Sequence, residues 1–321
     1  MTHAHRETRS PWCIVVADVA GPNWLISDDI SAGQAPVQYC RLGNRTTILQ
    51  KALHRAGRIT LAARIMVTAA EVHRPYWQHA LWFIPPEHRF ISESPGWSAL
   101  TTAAAVLSIA ARAPGALVTV LPARCYVADE RLLRVAFLET LSRRSTVADG
   151  IVTLGMIAAE TDVDEDYLVA NAWNGTPTTT VAVIAQRPVG SVIPQLAQRG
   201  ALVASGIFVA HAGTLASWLY EYCPTMTHII LRHLKSSVLA AAETRIPPIR
   251  PQDPIHSASR PFWERPLLAP LRVRRVAPCG WSGLHSQRAI EQIAALRPYV
   301  SGSRSHQSHE ERSGAEYLHS A

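Results

Sequence analysis

The stretch Ala116–Arg131, ALVTVLPARCYVADER, decides the fold. Ala116, Leu117, Val118, Thr119, Val120 and Leu121 make a short apolar run rich in β-branched residues, the composition of a parallel strand covered on both faces. Pro122 ends the run. Asp129 stands where a helix N-cap belongs, Glu130 puts an anion in the first turn, and Leu133, Phe137 and Leu141 follow at four-residue spacing. Ala123, Arg124, Cys125 and Tyr126 therefore fall at the carboxyl end of a strand in an open α/β sheet, where such folds take ligands.

Working outward, the pattern of strand, loop and helix repeats. Strands are expected at Cys13–Ala17, Arg64–Thr68, Ala80–Ile84, Ile151–Met156, Val181–Ala185 and Gly206–Ala210. A helix is expected at Thr47–Arg55, capped by Thr46 with Ile48, Leu49, Ala52 and Leu53 on one side, and an alanine-rich one at Ala99–Ala111, ended by Pro114. This alternation predicts an α/β fold with a mostly parallel, doubly wound, Rossmann-like sheet. One domain is expected over residues 12–295, preceded by an N-terminal extension over 1–11 and interrupted by a proline- and arginine-rich excursion over 246–261. The last residues, 296–321, are Ser, His, Glu and Arg with little to bury, a disordered tail by composition; its His306, His309 and His319 read as solvated residues.

Composition bounds the partners. The 321 residues are 48% hydrophobic with a mean hydropathy of +0.04, as in a soluble globular protein. The longest apolar stretch, Leu100–Leu121, is broken by Arg112 and Pro114, so no membrane span is expected. The opening MTHAHRETRSPW has no apolar segment of the secretory kind. Five cysteines, Cys13, Cys40, Cys125, Cys223 and Cys279, include no Cys-x-x-Cys pair, which argues against a zinc site or disulfide framework and for a cytoplasmic location. The net charge of +7 is concentrated between Glu243 and Arg275, where seven arginines face three acidic residues in a Pro-rich stretch. Without a recognition helix or aromatics interleaved with that charge, a nucleic-acid partner is not expected. Lysine occurs only as Lys51 and Lys235.

Several motifs lie in a fixed order: Val16–Leu25, Pro36-Val37-Gln38-Tyr39, Ser94-Pro95-Gly96, Leu121-Pro122-Ala123-Arg124, Leu154-Gly155-Met156-Ile157, Gln186-Arg187-Pro188, Ser205-Gly206 and Gly280-Trp281-Ser282-Gly283-Leu284. Their sequence resembles the sugar-phosphate nucleotidyltransferases, specifically the mannose-1-phosphate guanylyltransferase group. The resemblance implies that family's activity, transfer of a nucleotidyl group from GTP to mannose 1-phosphate to give GDP-mannose, with magnesium held on carboxylates. It also implies nucleotide contacts at Ala20, Gly21, Asn23, Gln38 and Pro95, and sugar contacts at Arg187, Ser205 and Gly206.

The charges that such chemistry uses are replaced. Val37 takes the place of the phosphate lysine, Arg124 that of a metal-binding aspartate, and Gly283 that of a second one, leaving the catalytic residues unassigned and no metal or cofactor expected. In the first loop one glycine remains, Pro22 removes an amide, and Asp18 adds an anion where phosphate is expected to approach. Two readings follow: a degenerate guanylyltransferase-like enzyme with impaired activity, or a non-catalytic sugar-nucleotide-binding, regulatory or scaffold module. The implied small-molecule partner is a sugar nucleotide or GTP, and the oligomeric state is left open. Of the remaining candidates, Asp162, Asp164, Glu165 and Asp166 read as a solvated acidic run and His73 as a partly buried helix-end residue. Cys125 lacks an identifiable base.

Overall fold

A computed structural model describes residues 10–20, 22–25, 33–42, 45–93, 95–143, 147, 150–157, 164–240, 242–246 and 271–295. Fourteen strands are described: β1 Trp12–Val16, β2 Asn23–Leu25, β3 Gln34–Pro36, β4 Ile65–Ala70, β5 Arg89–Ser92, β6 Leu117–Pro122, β7 Tyr126–Val127, β8 Ile151–Ile157, β9 Tyr167–Ala170, β10 Thr178–Ala185, β11 Leu202–His211, β12 Thr244–Ile246, β13 Leu271–Arg275 and β14 Trp281–Ser282. Ten of them form one sheet in the order β12-β5-β4-β1-β6-β11-β8-β13-β10-β9.

The half from β12 to β6 is parallel, and β1 and β4 are buried along their whole lengths. Alternate residues of these strands serve two cores, as a strand covered on both faces requires. Cys13, Val15, Val67 and Ala69 pack toward Leu49, Leu53, Leu133 and Phe137, from the helices Ile48–Gly57 and Glu130–Ser142. Ile14, Val16 and Met66 pack toward Leu100, Ala104 and Leu107 of the helix Ser98–Arg112 and toward Leu215 of the helix Ala212–Tyr222.

Beyond β6 the sheet is mixed. β11 runs antiparallel to β6 and β8, and it also pairs with β9, so that β11, β8, β13, β10 and β9 close into a five-stranded barrel. The expected doubly wound parallel sheet therefore holds only for the first half. The cause lies in Ser205-Gly206. Gly206 takes φ +70° and interrupts the register of β11 on β8 between Ala204 and Phe208, a bulge that lets one strand leave the sheet and enter the barrel.

Smaller corrections have local causes. Thr47 rather than Thr46 caps the helix Ile48–Gly57, because Gln50 completes a reciprocal capping box with it: Gln50 N donates to Thr47 Oγ1 at 3.2 Å and Thr47 N to Gln50 Oε1 at 2.8 Å. Ala80–Ile84 is a turn, not a strand. The Arg89 guanidinium donates to the carbonyls of Leu81 and Ile84 and folds that segment back, and β5 supplies the strand beside β4 instead. Asp129 caps its helix as expected, accepting from Arg131 N at 2.9 Å. Residues 1–9, 247–270 and 296–321 lie outside the described residues, and with them most of the expected extension, the excursion and the tail.

Candidate functional site

A cavity of about 320 Å³ opens where the carboxyl ends of β1 and β6 meet the mouth of the barrel. The first loop reaches it through Val19 and Ala20, the start of the helix Ser98–Arg112 through Gly96 and Ser98, and β6 through Pro122 and Arg124. Arg187, Ser205 and Gly206 approach from the barrel side, with His285 across from them. Among the described residues no side chain caps the helix that begins at Ser98.

Arg124 is held in place. Its Nη1 donates to Ala20 O at 2.6 Å, tying the end of β6 to the first loop, and its Nη2 donates to His285 Nδ1 at 2.7 Å. Accepting that bond leaves the imidazole proton on Nε2, which faces Glu165 Oε2 at 3.3 Å. Burial first, then the charges of Arg124 and Arg187, hold the His285 pKa down at about 3, so the ring is neutral. Arg124 itself is pressed toward a lower pKa by burial, supported in its charge by Glu165 and opposed by Arg187.

Asp164 is exposed, as expected of a solvated acidic run, but the next two residues are not simply solvated. Glu165 is buried, and Asp166 Oδ1 accepts from Arg187 N at 2.9 Å, pinning that residue in a left-handed backbone with φ 37°. Two arginines, Arg124 and Arg187, and three carboxylates, Asp164, Glu165 and Asp166, share the cavity; Glu165 faces the His285 ring and Asp166 the backbone N–H of Arg187. Asp162 lies outside the described residues.

Gly283 is required by this arrangement. A Cβ there meets Glu165 Oε1 and the His285 ring, whose Nε2 lies 2.6 Å away. The Glu165 carboxylate and the His285 ring cannot keep these positions once 283 carries a side chain.

Of the residues singled out by the sequence, Ala20, Arg124, Arg187, Ser205 and Gly206 come together on the cavity. Others stand apart from its wall. Val37 is fully buried in a cluster with Leu42, Ile48, Tyr126 and Leu284. Gln38 is fully buried and donates through Nε2 to Ala17 O at 3.2 Å and Val19 O at 3.1 Å, supporting the first loop from below. Asn23 lies on β2, Pro95 flanks Gly96, and Gly283 lies behind His285. Gly21 lies outside the described residues. Asp18 does not face the cavity as a free anion: it is fully buried, with Oδ1 accepting from Thr68 Oγ1 at 2.7 Å and Oδ2 from Thr101 Oγ1 at 2.6 Å.

Cys125 is buried, receives Arg55 Nη1 at 3.2 Å, and has its thiol pKa pushed up by burial, which makes it structural. His73 precedes the short helix Arg74–Trp77 and packs edge-on against Tyr39. His285 escaped the sequence reading, although it follows Gly283 by two residues; its partner across the cleft is distant in the chain.

The magnesium that the resemblance implies does not fit these residues. Arg124 presents a guanidinium to the place of one ligand and Gly283 has no side chain for another. Among the described residues no group of three or more His, Cys, Asp or Glu side chains is arranged to hold a metal ion, and no helix is long and apolar enough to cross a membrane.

No protein-family profile matches the chain, and no curated protein matches it. Solved structures do. One described as mannose-1-phosphate geranyltransferase from Thermus thermophilus superposes with a TM-score of 0.62 at 17% identity, over 88% of this chain and 78% of that one. One described as mannose-6-phosphate isomerase from Helicobacter pylori gives 0.59 at 13% identity, over 85% and 99%. A third, described as a putative glucose-1-phosphate thymidylyltransferase from Bacillus anthracis, gives 0.50 at 12% identity over 89% and 94%. These descriptions name two transferases and an isomerase, and what this chain shares with them is the fold.

Proposed function

We propose that this chain is a magnesium-independent binding module for a phosphate-bearing ligand, built on a nucleotidyltransferase fold whose transfer chemistry has been lost. One observation carries the reading: Arg124, fixed by Ala20 and His285 at the strand end, puts a permanent cation where transfer chemistry calls for a metal-binding carboxylate. Arg187 shares the cavity, and a guanidinium pairs with phosphate oxygens without a metal. Nucleotidyl transfer joins two anions, and losing one charge stabiliser costs on the order of 10²–10³ in rate. Here two carboxylates and a lysine are replaced together, by Arg124, Gly283 and Val37.

The resemblance names the first ligands to try, GDP-mannose and GTP. Titration calorimetry with and without magnesium is expected to show saturable binding that magnesium does not change, and no pyrophosphate released from GTP and mannose 1-phosphate. Magnesium-dependent pyrophosphate release by the folded protein refutes the reading in favour of an impaired guanylyltransferase.

A further inference from the structure

The cavity wall divides by chemistry. Arg124 and Arg187 stand on it, while the mouth of the barrel contributes Ile151, Leu168, Ile184, Phe208 and Leu271. Below them Leu202 and Val273 close the barrel in one apolar cluster with Leu168. Two hydroxyl side chains interrupt this apolar side among the described residues, and both are spent on the backbone. Thr153 Oγ1 donates to Ile207 O at 3.0 Å. Ser205 Oγ donates to Leu154 O at 2.5 Å and accepts from Ile207 N at 3.1 Å, holding the β11 bulge.

A hexose lodged here has to strip water from a ring of hydroxyls against a wall that returns few hydrogen bonds, at the cost of unpaired buried polar groups. An apolar group at the same place gains from each square ångström it removes from water. On this barrel side the hydroxyls that a sugar needs are engaged, the polar Ser98, Asp164 and Asp166 standing on the rest of the wall; the surface that an aromatic or alkyl group needs is present.

We propose that the barrel mouth is a subsite for an apolar group, so that the ligand is a small phosphate ester of an aromatic or aliphatic alcohol. Its phosphate pairs with Arg124 and Arg187, and its body lies among Ile151, Ile184, Phe208 and Leu271. This rests on the phosphate-binding reading above and departs from the sugar contact expected at Ser205 and Gly206. Of the carboxylates on the same cavity, Glu165 faces His285 Nε2 and Asp166 accepts from the backbone N–H of Arg187.

The test is calorimetry of the full chain with four matched probes: 1-naphthyl phosphate, mannose 1-phosphate, inorganic phosphate and 1-naphthol. Naphthyl phosphate is expected to bind at least tenfold more tightly than mannose 1-phosphate. The variant Ile184→Asn, at a half-buried position, is expected to erase that advantage, and Arg124→Gln to weaken naphthyl phosphate but not naphthol. Equal or tighter binding of mannose 1-phosphate overturns the apolar subsite and leaves the phosphate-binding reading standing. Naphthol binding as tightly as its phosphate overturns the proposed ligand by removing its head group. Binding by neither phosphate ester overturns both readings, and an unchanged tenfold preference in Ile184→Asn overturns the placement.

Discussion

Asp18 offers the sharpest test of how the first loop is built. Its carboxylate is fully buried under the loop, and burial outweighs the hydroxyls of Thr101 and Thr68 that donate to it, pushing its pKa up to about 6 from the ordinary 3.8. A folded-state pKa above the unfolded one means that the folded protein holds a proton the unfolded chain releases. The stability tied to that proton is fully present below pH 3.8 and is lost as the pH rises through about 6. At about 1.36 kcal/mol per pKa unit, the gap corresponds to about 3 kcal/mol. Asp18→Asn keeps the shape and removes the titration, and both threonine hydroxyls can rotate to serve an amide. Thermal unfolding of the two proteins from pH 4 to pH 8 is expected to give nearly coincident midpoints at the acid end. By the neutral end the variant is more stable by about 3 kcal/mol, or about 6 °C at roughly 2 °C per kcal/mol for a chain of this size. A difference in Tm that stays constant across this range refutes the argument, because it places the carboxylate in contact with solvent.

Three further outcomes follow from particular contacts. Arg55, which is 4% exposed, holds the 30% exposed Glu130 through bonds of 2.9 and 2.7 Å, so Arg55→Met is expected to cost about 1–2 kcal/mol in urea unfolding through the lost charge-assisted bonds. Thr47→Ala removes one half of the capping box and is expected to cost about 1 kcal/mol in the same assay, recovered in large part by Asp at that position. Because the His285 pKa is held at about 3, affinity for a diphosphate ligand such as GDP-mannose is expected to stay flat between about pH 5.5 and 8 by calorimetry; a rise on acidification through the ordinary histidine range means that the ring is free to take a proton.

The first half of the fold was legible because its signals are local. Apolar runs such as Cys13–Val16 and Leu117–Leu121 announce strands covered on both faces, and Asp129 announces its helix within a few residues. Barrel closure was not legible, because it depends on β9 meeting β11, more than thirty residues along the chain, and on a bulge at Ser205-Gly206 that resembles any small-residue turn. Ala80–Ile84 misled for the opposite reason. Its apolar residues alternate poorly, Trp82 being 80% exposed beside buried Leu81 and Ile84, and the interaction that makes it a turn comes from Arg89. In the cleft, Arg124 stood out at a strand end. Glu165 and His285 did not, since an acidic run and a histidine carry no spacing that tells of a partner more than a hundred residues away.

The departures in the cleft belong to one arrangement. Glu165 enters because position 283 has no side chain, His285 is fixed between Glu165 and Arg124, and Arg124 fills the strand end that a carboxylate would otherwise occupy. Restoring the expected acids one by one therefore works against the packing. In Arg124→Asp with Gly283→Asp, the new side chain at 283 collides with Glu165 and the His285 ring, and the new acid at 124 withdraws the donor from His285 Nδ1 while adding charge beside Glu165. That double variant is expected to lose stability, by about 1–3 kcal/mol from the collision alone, and to show no magnesium-dependent rise in Tm. Adding Glu165→Ala removes the carboxylate from the obstruction and leaves the His285 ring, so the triple variant is expected to recover part of the stability and to gain a magnesium-dependent rise. Magnesium stabilising the double variant as well as the triple one refutes the exclusion between Glu165 and position 283, and reduces the loss of the acids to independent substitutions.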